Sequence, residues 1–126
     1  MNRELFREEI IKLIYSKMIN KDQELEGYDS DLIKTYHDFL NHIEELDEII
    51  DQNLFDWSIT RLNYVDLAII RYATYELVYL NQAKEIVINE ALELTKKYSN
   101  LEDDQAKKFN NRLLQNIVDS LGEKDA

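Results

Sequence analysis

From residue 63 to residue 80 the chain reads Asn-Tyr-Val-Asp-Leu-Ala-Ile-Ile-Arg-Tyr-Ala-Thr-Tyr-Glu-Leu-Val-Tyr-Leu. Val65, Leu67, Ala68, Ile69, Ile70, Tyr72, Ala73, Leu77 and Val78 clothe almost every side of a helix drawn through it. A helix that is apolar all round must be surrounded by other elements. Asn63 followed by Asp66 approaches a capping box and marks where the helix starts. Asp66, Arg71 and Glu76 interrupt the apolar run, so it is not read as a membrane span.

The flanking sequence supplies the surrounding helices. Phe6, Ile10, Leu13, Ile14 and Met18 fall on one helical stripe near the start of the chain. Lys21 to Asp31 reads as a loop, with Asp29 or Ser30 capping the next helix. That helix is expected to run unbroken to about Leu54, because Tyr36, Phe39, Ile43, Leu46 and Ile50 recur at alternating spacings of three and four. A short connection, Phe55 to Leu62, carries Trp57 as a core plug. Beyond the central helix, one helix is predicted over about Ala83–Tyr98 and a last one over about Asp103–Leu121, with Gly122 as its stop. Proline is absent and glycine occurs only twice, which removes the turn chemistry of sheets. The expectation is an all-α fold, a compact helical domain spanning 1–126 as one unit.

Composition narrows the chemistry. Without cysteine there are neither disulfides nor thiolate metal sites. His37 and His42 are five apart and fall on different helical faces, so no metal site is expected. Two isolated glycines cannot cradle a phosphate, and no cofactor is expected. Carboxylates abound, but acid–base catalysis needs two in contrasting environments, and nothing in the acidic run differentiates them. The reading is a binding module, not an enzyme. Arg3, Glu4, Arg7, Glu8 and Glu9 break any signal-peptide pattern, so a cytoplasmic location with no membrane contact is expected.

The net charge of −11 is unevenly spread. Between Asp22 and Asp56 stand 12 acidic residues and one basic residue, Lys34; the remainder holds 14 of each sign. A face for an anionic partner must therefore come from the N-terminal helix and the C-terminal third.

The order and spacing of short motifs resemble the NusB family. They are Arg7-Glu8 with Tyr15, then Leu46-Asp47-Glu48-Ile49-Ile50, Trp57-Ser58, Arg61-Leu62, Val65-Asp66, Ile70-Arg71 and Tyr75-Glu76-Leu77. Ile88-Asn89-Glu90-Ala91, Glu93-Leu94 and Lys96 follow, and Lys108-Phe109, Asn111 and Leu113 echo a Lys-Phe-Val-Asn-Gly signature. The resemblance implies two packed three-helix-type subdomains and a role in transcription antitermination in bacteria. It implies pairing with the NusE-type ribosomal protein, binding of boxA-like RNA from the ribosomal RNA leader, and contact with the transcription elongation complex. By position, Arg7, Lys108, Phe109 and Asn111 would serve RNA, and Glu76 the protein partner.

The chain departs from the family pattern where RNA would bind. Leu5 and Phe6 stand where an arginine and a small residue are expected, Ala83 replaces a proline, and Asn110 and Arg112 replace the signature's valine and glycine. Arg3 and Arg7 are four apart and share a stripe, as do Lys108 and Arg112. With Lys107 these define the expected phosphate path, and cationic side chains along it would release counterions. Phe109 lies at the edge of its apolar stripe and reads either as core or as a stacking plane for a base. Glu76, an acid on an apolar helix, must be exposed to a partner or paired internally, with Arg61 or Arg71 as candidates. The alternative function is a diverged helical interaction module, or a weak homodimer, that has lost RNA binding.

Overall fold

In the computed structural model, which describes residues 1–55, 58–99 and 104–125, helix α4 (Tyr64–Tyr79) is the element on which the others are assembled. The Asn63 side-chain oxygen accepts the Asp66 N–H at 2.8 Å, closing the first turn as the capping pattern predicts. From Asp66 to Glu76 every residue except Arg71 is buried. Asn63→Ala should reduce stability by about 0.5–2 kcal/mol, the usual effect of losing an N-cap; urea unfolding with an unchanged m-value would measure it.

Around α4 the described residues form five further α-helices and a short 3₁₀ turn, Ile59–Arg61, with no strand. Helix α1 (Arg3–Ile19) packs on α4 and on α2 (Ser30–Asn41), and α3 (Ile43–Gln52) packs on α2 and α4. Helices α5 (Lys84–Tyr98) and α6 (Gln105–Asp125) complete a second three-helix group with α4. Their apolar faces merge into one continuous core, with Ile10, Leu46, Ile50, Ala68, Ile70, Leu114 and Ile117 fully enclosed. No helix among the described residues is long and apolar enough to cross a membrane.

The α2 N-cap is Asp29, whose carboxylate accepts the Asp31 N–H at 2.8 Å. The helix expected to be continuous from there to Leu54 instead breaks at His42, which takes φ −111° and ψ 4°. No glycine or proline marks this point. The His42 ring stacks on Tyr79 of α4, with centroids 3.8 Å apart, and its Nε2 lies 3.7 Å from an Asp38 oxygen. A tertiary contact thus sets the joint. The three–four seam survives it, with Tyr36, Phe39, Leu46 and Ile50 all buried.

Helix α6 also differs from expectation. It runs through Gly122 to Asp125, because glycine only weakens a helix and nothing here demands a turn. The reversal between α4 and α5 is made by Asn81, whose φ of 54° is the left-handed conformation that asparagine tolerates best after glycine. Trp57, expected as a core plug, lies outside the described residues.

Candidate nucleic-acid interface

The two expected ends of the site, α1 and α6, are not brought together. Helix α1 runs antiparallel to α4, so Arg3 meets the turn after α4, where its Nη1 donates to Gln82 Oε1 at 2.7 Å. Helix α6 starts at the other end, where Asn110 Nδ2 donates to Asp66 Oδ1 at 3.2 Å. A helix rises 1.5 Å per residue, so Arg3 and the start of α6 stand roughly 20 Å apart along α4.

Arg7 is a correction, and Glu76 takes the internal pairing that was one of its two readings, with a different arginine. Arg7, expected on the RNA face, is only 3% exposed, and Glu76, expected at a partner's surface, is likewise 3% exposed. They face each other as a two-pronged ion pair, Nε to Oε1 at 2.6 Å and Nη2 to Oε2 at 2.8 Å. The geometry is that of the planar guanidinium fork on a carboxylate. The Glu76 hydrogen bond holds the Arg7 proton more tightly than in a free arginine. Of the acid's two expected internal partners, Arg71 instead forks onto Asp47 of α3, both contacts at 2.7 Å. Arg7 and Glu76 are thus used to join α1 to α4, and neither is presented to a ligand.

The α6 residues behave differently. Lys108, Asn111 and Arg112 are exposed, while Lys107 and Phe109 are half-buried. Phe109 is partly buried and packed against the core, which is intermediate between the two readings of its spacing. Lys107, Lys108 and Arg112 have no ion-pair partner among the described residues. Asn110 is fully buried and serves as a junction. Besides Asp66, its amide reaches Thr95 Oγ1 of α5 at 3.1 Å, and its Oδ1 has no partner among the described residues. It ties the first turns of α6 to the start of α4 and the end of α5, which accounts for a polar residue facing the core.

Sequence spacing missed the cationic residues contributed by α5 and the middle of α1. Helix α5 ends beside Asn110, so its last turn brings Lys96, Lys97 and Tyr98 to the same end of the bundle as α6 begins. Lys97 Nζ bonds Glu8 at 3.0 Å and sits 5.3 Å from the Tyr98 ring centre; Lys12 Nζ approaches the same ring at 5.9 Å. The one available signal was the basic pair closing a helix. On the far side of α4 the acidic helices hold their own bonds. Tyr75 donates to Asp38, and Tyr79 to Glu45 at 2.5 Å. Burial, with that carboxylate bond, pushes the Tyr79 phenol up to about 12. Burial raises Tyr75 and Tyr72 as well.

The sequence matches the description of the NusB family over residues 1–119. The chain belongs to the NusB family. The transcription antitermination protein NusB of Clostridium botulinum (strain Alaska E43 / Type E3) is 34% identical across 94% of this chain and 98% of that relative. Thermotoga maritima NusB superposes with a TM-score of 0.74 at 28% identity, covering 93% of this chain and 90% of its own. A crystal structure of antitermination factors NusB and NusE in complex with dsRNA gives 0.77 at 27% identity, covering 94% and 96%. Among the described residues, the arrangement of six α-helices is that of the NusB fold.

Proposed function

We propose that this NusB-family chain is a cytoplasmic transcription antitermination factor that binds boxA-like RNA together with a NusE-type ribosomal protein in the transcription elongation complex. The observation that carries the reading is its likeness, over 94% of its length, to a chain of the crystal structure of NusB and NusE in complex with dsRNA. The α6 strip supports it. Lys107, Lys108 and Arg112 offer cations without an ion-pair partner among the described residues, with Phe109 and Asn111 between them, and Arg112 lies across a cavity from the C-terminal end of α3. Arg3 lies outside this strip, and Arg7 and Glu76 are occupied with each other.

A strip this small gives weak affinity alone. A second face supplied by the partner raises effective affinity without any new contact on this chain. Fluorescence anisotropy with boxA-like RNA is expected to show markedly tighter binding once the NusE-type protein is present. Equal affinities with and without it would refute this reading.

The strip also predicts the salt dependence. Lys108→Ala and Arg112→Ala should each weaken binding to all RNA sequences alike and reduce the logarithmic salt slope by about 1. Neutralising Glu44, Glu45 and Glu48 to glutamine should change affinity little at physiological ionic strength, where charges beyond about 8 Å are screened. A large gain or loss from that triple change would move the RNA path onto the first turns of α3.

A further inference from the structure

Between the end of α3 and the first three turns of α6 lies a cavity of about 180 Å³. Asn53, Leu54 and Phe55 form one wall; Phe109, Arg112 and Asn116, spaced three and four along α6, form the other. It is well below the roughly 300–1,000 Å³ of sites that enclose drug-sized molecules, and its scale is that of one planar ring. Phe55 is 67% exposed, an apolar ring held in water beside this opening.

The polar groups around the cavity are unequally committed. Both donor contacts of the Asn53 amide are internal, to the Ile49 carbonyl at 2.8 Å and Ser120 Oγ at 3.3 Å, so this side chain has only its oxygen left as an acceptor. Asn116 has no hydrogen-bond partner, and Arg112 no ion-pair partner, among the described residues. The C-terminal end of α3 adds the negative pole of a helix. A phosphate is therefore disfavoured at the α3 wall and favoured beside Arg112, whereas a ring edge bearing N–H groups suits the α3 wall.

We infer that this cavity receives one unpaired nucleobase carrying an exocyclic amino group, stacked on Phe55, with its phosphate beside Arg112. The inference rests on the RNA-binding reading above and deepens it by assigning a base-selective position. Unpaired bases are commonly read in this way, by an aromatic plane together with side chains on the base edge.

The test uses the full chain with the NusE-type partner present. It is titrated with a short all-uridine RNA and with the same RNA carrying one central adenosine; 2-aminopurine at that position reports stacking by its fluorescence. The adenosine RNA is expected to bind several-fold tighter. Phe55→Ala should lower its affinity about 5- to 150-fold, the effect of losing one base–aromatic stack, and abolish the 2-aminopurine response. Phe55→Tyr should restore both. Asn116→Ala should bring the adenosine-to-uridine ratio toward one. Because Phe55 is largely exposed, its variants keep their melting temperature. Equal affinity for the two RNAs, or an unaltered Phe55→Ala protein, overturns the cavity while leaving the RNA-binding reading intact. No RNA binding by the unaltered pair overturns both.

Discussion

Glu76→Lys is expected to destabilise the protein by roughly 3–5 kcal/mol, because removing one member of a buried ion pair leaves the other charged and unmatched. Arg7 cannot escape by losing its proton, since a guanidinium is basic enough to stay charged even after its carboxylate partner is gone. The substitution also sets a second cation against it, on side chains 4% exposed at each end. For a chain of this size the melting temperature should fall by at least ~10 °C. Arg7→Met combined with Glu76→Leu should recover much of the loss, since apolar replacement of a buried pair is often neutral or better. A Glu76→Lys protein that melted with the unaltered one would put this carboxylate back on the surface. Weakened partner binding in that variant would report a damaged α1–α4 joint, so it does not test the partner face.

Phe109→Asp should have two separable effects. The ring is half-buried against the core, and placing a carboxylate there should cost about 2–4 kcal/mol of stability. It should also remove a stacking plane, worth about 1–3 kcal/mol per base. Phe109→Leu divides them: the core contact is largely kept and the plane is lost. The leucine variant is thus expected to melt near the unaltered protein while binding boxA-like RNA more weakly. If it bound RNA as tightly as phenylalanine does, the ring's only role would be packing.

The fold was legible because its strongest signal is local. The composition of Tyr64–Tyr79 alone places that helix at the centre, and the Asn63 cap is readable three residues ahead of its donor. The break at His42 was not legible, since it is imposed by Tyr79, a ring brought in from another helix. On α6 the exposure of the cations was legible, because Lys108 and Arg112 share a stripe that faces water. On α1 the expected exposure of Arg7 fails for a physical reason. Arg3 and Arg7 share a stripe, but Glu76, 69 residues away, buries one of them, and helical periodicity cannot distinguish a stripe facing water from one facing a carboxylate. Asn110 belongs to the same class, its meaning supplied by Asp66 and Thr95 from two other helices.

The division of charge between the acidic α2–α3 block and the basic start of α6 makes the molecule an electric dipole with a surplus of one sign. A chain of this length folds to a diameter of roughly 35 Å. At about 0.01 M salt the screening length is near 30 Å, so an approaching polyanion feels the whole −11 and is repelled. At about 0.15 M it shrinks to roughly 8 Å, and the polyanion feels only the pole it meets. The encounter rate with RNA should therefore climb from very low salt, pass through a maximum, and decline once the cations themselves are screened. The acidic helices would then act as a rudder, turning the protein so that α6 arrives first.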